Sequence, residues 1–262
     1  MIKFNEKIKK FCKNKNNRLC LGLDIDNRKL ENSSIQYMQD YVIDIIENTI
    51  DLCPVYKVNF AFYERLGSQG FKILEKINSI INGRSITIAD AKRGDIGNSS
   101  KFYAEAVFDY LGFDSITVAP YMGFDSIKPF VDYKNNGVFI LCLTSNKGSN
   151  DFQKKITDDK EIYKHVISMA KKNNCFNNIG LVIGATNDKY LKDIKLLSGD
   201  LPWLMPGVGF QGGSLDESIS IGDQNGLALI NVSRGILNSG NRTIADIRKA
   251  TEEYTEQIRK FL

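Results

Sequence analysis

Residues Ser85-Ile86-Thr87-Ile88-Ala89-Asp90-Ala91-Lys92-Arg93-Gly94-Asp95 form a short β-branched apolar run that turns abruptly into charge. Such a run reads as a buried strand whose carboxyl end carries two acids and a lysine. The pattern recurs along the chain, with strand candidates at 19–23, 55–58, 85–89, 115–118, 138–143, 180–183, 203–205 and 228–232. Segments of helical spacing alternate with them, at 35–52, 71–81, 100–111, 160–172, 190–197 and 243–261. Near-continuous apolar strands alternating with helices imply a parallel sheet covered by helices. Eight such strands in 262 residues predict an α/β fold, a closed (β/α)8 or TIM barrel. A doubly wound open sheet would carry a Gly-rich GxGxxG turn after its first strand, and none follows the first strand here. Pro54 and Pro202 precede strand candidates and Pro120 and Pro206 follow them, where no ladder N–H is needed. No linker or low-complexity tract divides the chain, so 1–262 reads as a single domain with 1–17 as an N-terminal helical extension.

Composition narrows the function. Hydrophobic residues at 42% and charged residues at 25% are those of a globular chain rather than a disordered one. No apolar run reaches the roughly 18 to 20 residues of a membrane span, and Met1-Ile2-Lys3-Phe4-Asn5-Glu6-Lys7 lacks the apolar core of a signal peptide. A cytoplasmic protein without a membrane partner is expected. The five cysteines, Cys12, Cys20, Cys53, Cys142 and Cys175, are odd in number and show no CxxC spacing, so neither a disulfide framework nor a zinc site is suggested. The one histidine, His165, lies in a stretch of helical period and reads as a helix-surface or packing residue. Proton transfer then falls to Asp, Glu, Lys, Tyr or Cys. The net charge of +4 owes much to Lys3, Lys7, Lys9, Lys10, Lys13 and Lys15. These read as the solvated face of an amphipathic helix and not as a nucleic-acid footprint.

In such a barrel, chemistry collects at the carboxyl ends of the strands. Those ends carry Asp24 and Asp26, Lys57 and Asn59, Asp90-x-Lys92-x-x-Asp95, Thr144-Ser145-Asn146, the glycine-rich 207–213 stretch, and Ser233-Arg234-Gly235. A lysine flanked by carboxylates keeps its proton and can serve as a charged acid. Strand alternation places Asp90 and Lys92 on one side. Lys57 lies inside an apolar strand, where an unpaired ammonium is costly, so a carboxylate partner such as Asp90 is expected. Glycines 207–213 followed by Arg234 match the phosphate site that barrels build from their last two strand loops. Together these groups suggest a phosphorylated ligand whose far end meets the lysine–aspartate cluster.

These residues also carry a family resemblance. The chain resembles the orotidine 5′-phosphate decarboxylases, in their longer bacterial-type branch. The matching pieces are Leu21-Gly22-Leu23-Asp24, Tyr56-Lys57-Val58-Asn59 with Ala61-Phe62-Tyr63-Glu64, Ala89 through Ser99, Thr144-Ser145-Asn146, Val182-Ile183-Gly184-Ala185-Thr186, Pro206-Gly207-Val208-Gly209 with Gln211-Gly212-Gly213, and Asn231-Val232-Ser233-Arg234-Gly235. One DxKxxD is moderately specific; seven pieces in the family's order over nearly the whole chain are strongly so. Three departures are Asp26-Asn27 where a proline often follows the first-strand aspartate, Ser99 in place of a threonine, and Lys147 before Gly148 where proline is common. Ser99 keeps the hydroxyl.

The resemblance implies conversion of orotidine 5′-monophosphate to uridine 5′-monophosphate without a cofactor or metal. It assigns Lys57, Asp90, Lys92 and Asp95 to an alternating charge network in which Lys92 protonates C6 of the pyrimidine. It implies a homodimer, with Asp95 reaching into the neighbouring subunit's site. Asp24 and Lys57 would hold ribose hydroxyls, joined by Asp95 and Ser99 from the partner, while Ser145 would bind the pyrimidine and Gln211 and Arg234 the phosphate.

Three other readings compete. A magnesium-dependent sugar-phosphate relative shares the Asp-x-Lys-x-x-Asp strand but places a glutamate where this chain has Lys57. A non-catalytic phosphate- or RNA-binding barrel rests only on the N-terminal lysines. A Schiff-base aldolase needs a free amine, which flanking aspartates oppose.

Overall fold

The computed structural model describes residues 2–208 and 213–262. Its strands are β1 (Leu19–Gly22), β2 (Val55–Asn59), β3 (Ile86–Arg93), β4 (Ser115–Val118), β5 (Gly137–Leu143), β6 (Ile156–Thr157), β7 (Lys160–Glu161), β8 (Ile179–Ile183), β9 (Trp203–Pro206) and β10 (Ala228–Val232). Eight of them form one closed parallel barrel in the order β1-β10-β9-β8-β5-β4-β3-β2. The other two, β6 and β7, make a small antiparallel hairpin in the loop after β5. Each of the eight strand candidates falls on a barrel strand, with only Leu23 and Ser85 lying just outside β1 and β3, because β-branched and aliphatic runs buried on both faces favour a parallel sheet.

The helices depart more from expectation. The segment expected at 35–52 is helical only over Ile35–Glu47, since Asn48 and Thr49 turn their side chains onto the Asp44 and Ile45 carbonyls and the chain must approach Pro54 extended. Helices Phe124–Val131 and Leu215–Gly222 have no counterpart in the expected set. The first contains Pro129, which argues against a helix unless the proline falls where its missing N–H costs little. The second opens on Ser214, whose Oγ accepts the Glu217 N–H at 3.2 Å, a start signal hidden behind the glycine-rich stretch. Pro206, expected beyond its strand, is the last residue of β9 and pairs in register with Asn231.

Inside the barrel the two-residue side-chain period sorts residues by height. The lower levels hold Cys20, Val55, Ile86, Ile88, Phe139, Val182, Leu204 and Leu229 as one apolar cluster. Two residues further along the same strands come Lys57, Asp90 and Asn231, which line the upper cavity. Helix Phe4–Asn14 closes the bottom. Its Phe4, Ile8 and Cys12 join that cluster, and the Phe4 ring meets Phe139 edge-on at 6.2 Å. Gly137 has to be a glycine here, because a Cβ would stand 2.1 Å from Phe4 Cε1.

The expected solvated lysine face is only partly such. Lys15 bends back under the barrel, giving its Nζ to the Ile50 and Cys53 carbonyls and to Ser85 Oγ, while Lys7 pairs with Asp114 at 2.6 Å. Cys12, Cys20, Cys53 and Cys142 are buried free thiols and Cys175 is exposed. His165 lies in helix Ile162–Asn173 with Nε2 2.9 Å from the Thr157 carbonyl and does not line the cavity at the charged strand ends. Among the described residues no helix is long and apolar enough to cross a membrane.

The bottom plug is a core element by this packing. Phe4→Ala is expected to lower unfolding free energy by about 3–5 kcal/mol, the range for a buried phenylalanine, as read by urea denaturation at neutral pH.

Candidate active site

A cavity of about 320 Å³ opens at the carboxyl end of the barrel. On one side it is lined by Asp24, Lys57, Asn59, Asp90, Lys92 and Thr117, and on the other by Ser145, Gly207, Asn231 and Arg234. The polar wall follows from the strand register, which sets Gly22 beside Lys57 and Asn59 beside Asp90.

Asp90 is the centre of this wall. Its Oδ2 accepts from Lys57 Nζ at 2.8 Å, and its Oδ1 accepts from Lys92 Nζ at 2.6 Å and from Thr117 Oγ1 at 3.0 Å. Burial alone would raise the Asp90 pKa, but the Lys57 and Lys92 charges outweigh it and hold the carboxyl well below the usual carboxylate range. Burial likewise opposes the Lys57 ammonium, which is 4% exposed, yet Asp24 and Asp90 hold its pKa above the ordinary lysine value. Lys57 Nζ also stands 3.7 Å from Asp24 Oδ1, a buried oxygen that makes no hydrogen bond among the described residues. Lys92 differs from Lys57 in access: half of its side chain is exposed to the cavity mouth.

Simple alternation does not explain why Asp90 and Lys92 share a side. Pairing of β3 with β4 runs Ile88↔Ser115 and Ala89↔Ile116, then resumes only at Arg93↔Val118, so β3 carries two extra residues. Lys92 sits in that bulge with φ +48°, the left-handed region that non-glycine residues seldom adopt. Its N–H is given to Thr117 Oγ1 at 3.0 Å.

The structure therefore gathers Asp24, Lys57, Asp90, Lys92, Ser145 and Arg234 around one cavity. Asp95 and Ser99 do not line it. Asp95 Oδ1 accepts from the Ile96 N–H at 2.8 Å, and Ser99 is exposed at the start of helix Gly97–Glu105. Gln211 lies outside the described residues. Gly184 lets the Ser145 loop close on the barrel, since a Cβ there would stand 2.6 Å from Ser145 N. Thr117 was not among the sequence candidates. Its only signal was a hydroxyl within an apolar strand next to the Asp90 strand, a pattern shared by many core threonines.

Among the described residues no three His, Cys, Asp or Glu side chains converge as metal ligands. The Lys57 ammonium stands between Asp24 and Asp90, the carboxylates on which a divalent cation would depend. A parallel barrel whose strand ends hold a lysine–carboxylate network beside a glycine- and arginine-bearing wall is a (β/α)8-barrel enzyme with its acid–base groups at the carboxyl face.

Comparison with known proteins narrows the class. The orotidine 5′-phosphate decarboxylase / HUMPS family model matches residues 17–248, and the chain belongs to that family. It is 44% identical over 266 residues to the orotidine 5′-phosphate decarboxylase of Dehalococcoides mccartyi, covering 98% of this chain and 96% of the relative. It is 45% identical over 244 residues to that of Christiangramia forsetii, covering 90% and 89%. Among solved structures, Leishmania donovani OMP decarboxylase superposes with a TM-score of 0.88 at 34% identity, covering 99% of this chain and 98% of that one.

The charge network predicts its own pH signature. Lys57→Ala leaves Asp24 and Asp90 without the buried cation and is expected to cost about 3–5 kcal/mol of stability at neutral pH. The wild-type advantage derives from a carboxyl whose folded pKa is depressed, so it is fully present above the unfolded value near 4 and declines progressively as pH falls from there toward the lower folded value. Urea titrations of both proteins between pH 7 and pH 3 should show the gap closing.

Proposed function

We propose that this chain removes the carboxylate of orotidine 5′-monophosphate to give uridine 5′-monophosphate and carbon dioxide, in cytosolic pyrimidine nucleotide biosynthesis, without a cofactor. The observation that carries the reading is Asp90, largely shielded from solvent between Lys57 and Lys92 on a cavity that also reaches Arg234. Its support is membership of the family and 44% identity over nearly the full chain to a protein named for this activity.

The substrate phosphate lies against Arg234, the 207–213 glycines and Gln211, whose guanidinium, N–H and amide groups suit phosphate oxygens. The pyrimidine ring then reaches Lys92, with Ser145 donating to its edge. Asp24, with a buried oxygen open for a donor, and Lys57 take ribose hydroxyls. The bond between C6 and the carboxylate carbon breaks, and its electron pair stays on C6. The Lys92 ammonium stabilises that charge and then gives its proton to C6, so that one proton is consumed as carbon dioxide leaves. Asp90 holds Lys92 at the reacting carbon and faces the departing carboxylate. Lys92 regains a proton from solvent through its exposed side.

The active unit in this reading is a homodimer. Ile96, Phe102, Tyr103, Tyr121 and Met122 are exposed next to Asp95 and Ser99, with Phe102 at 62% and Tyr121 at 77%. Large apolar side chains left exposed in this number suit burial against a second copy, which would carry Asp95 and Ser99 across to the ribose end of the partner's cavity.

Purified protein with orotidine 5′-monophosphate in EDTA is expected to lose orotate absorbance with time. Lys92→Ala should fall by at least about a thousandfold in kcat while keeping its melting temperature, and Arg234→Ala should chiefly raise KM. Inactivation of the wild type by EDTA would instead favour the metal-dependent branch of the family. For the shared site, Lys92→Ala and Asp95→Ala proteins are each expected to be inactive, and an equal mixture to recover about a quarter of wild-type activity, because half the two-fold dimers then hold one intact site. No recovery after verified subunit exchange would place Asp95 outside the partner's site.

A further inference from the structure

We infer that Thr117 is a positioning residue for the Asp90–Lys92 pair: its single hydroxyl locks both partners by accepting the Lys92 N–H and donating to Asp90 Oδ1. This inference rests on the decarboxylation reading for its kinetic consequence, though not for its geometry.

Lys92 stands in the two-residue bulge of β3, where its left-handed backbone costs on the order of 1 kcal/mol and persists only if neighbours over-determine it. A regular β3–β4 ladder would satisfy the Lys92 N–H with a backbone carbonyl, but the bulge removes that partner. Thr117 Oγ1 replaces it at 3.0 Å. A hydroxyl has one proton, and here it is directed at Asp90 Oδ1, also at 3.0 Å. The same Oδ1 accepts from Lys92 Nζ at 2.6 Å. Backbone and side chain of Lys92 are thus both referred to one carboxylate through one residue of the adjacent strand. Thr117 is 1% exposed, so both bonds are shielded from bulk solvent.

The groups around Asp90 divide by element. Lys57 on β2 holds Oδ2, Lys92 on β3 and Thr117 on β4 hold Oδ1, and Asp24 beyond β1 faces the cluster through Lys57. Lys57 fixes the carboxylate in place without reference to Lys92. Among the described residues, only Thr117 ties the carboxylate to the main chain of the acid. Valine at 117 has the same shape, keeps the strand packed, and deletes both bonds; serine restores both. An ammonium displaced by about 1 Å from a reacting carbon costs on the order of a hundredfold in rate.

The test compares Thr117→Val and Thr117→Ser with the wild type. Thr117→Val is expected to lose about 10- to 100-fold in kcat with KM changed less than about threefold, because phosphate and ribose contacts are untouched. Thr117→Ser is expected to recover to within about threefold of the wild type, since it keeps the hydroxyl that sets the ammonium's position. Equal kcat for valine and wild type, or equal losses for serine and valine, would overturn the inference. Crystal structures of the wild type and Thr117→Val supply a readout that needs no turnover. The valine protein should show the Lys92 Nζ–Asp90 Oδ1 contact broken or Lys92 moved out of its left-handed conformation. An unchanged pair would overturn the positioning role even if the wild type proved inactive on orotidine 5′-monophosphate, an outcome that would separately refute the function proposed above.

Discussion

A carboxylate taken out of water must be repaid by donors aimed at it, and Asp90 receives three. That requirement governs the upper barrel. Lys57 is tolerable inside an apolar strand only because Asp90 and Asp24 face it, and Asp90 is tolerable only because Lys57 and Lys92 do. None of these charges is stable in its position alone. The result is a set of fixed charges whose spacing is imposed by neighbouring strands rather than by solvent, the kind of preorganised environment that stabilises charge forming on a substrate.

The barrel supplies the rigidity this needs. Its lower levels and the Phe4–Asn14 plug are filled with apolar side chains, so the strands are held from below while their carboxyl ends stay open. Along β2 the inward residues pass from Val55 to Lys57 to Asn59, and along β10 from Leu229 to Asn231. A strand therefore contributes to both core and chemistry two residues apart. The loops beyond add what the strands cannot, namely the hydroxyl of Ser145 and the guanidinium of Arg234.

Much of this was legible in sequence for definite reasons. The eight strands show as apolar β-branched runs because burial on both faces permits nothing else, and Lys57 demanded a carboxylate because it interrupts such a run. The bulge was not legible: Ala89-Asp90-Ala91-Lys92 reads as ordinary alternation, and only the register against β4 shows two extra residues and the left-handed Lys92. Thr117 was missed for the same reason, since its partner N–H exists only because the bulge frees it. Lys15 resembled the other N-terminal lysines, and nothing local distinguishes a lysine that caps carbonyls beneath a barrel from one in solvent. Helix Phe124–Val131 was obscured by Pro129, and helix Leu215–Gly222 by the glycines before it. Asp95 and Ser99 matched the family motif but stand outside the cavity of their own chain, and nothing in the motif itself signals that placement.

Everything in the upper barrel turns on Asp90 as a carboxylate clamped between Lys57 and Lys92. Carbon-13 NMR of protein labelled at aspartate carboxyl carbons, with Asp90→Asn to assign the resonance, reads this directly. The Asp90 signal is expected not to move between pH 7 and pH 4, where an ordinary aspartate would be roughly half protonated. A resonance that titrates with a midpoint near 4 would show that the two lysines do not hold the charge, and would contradict the account.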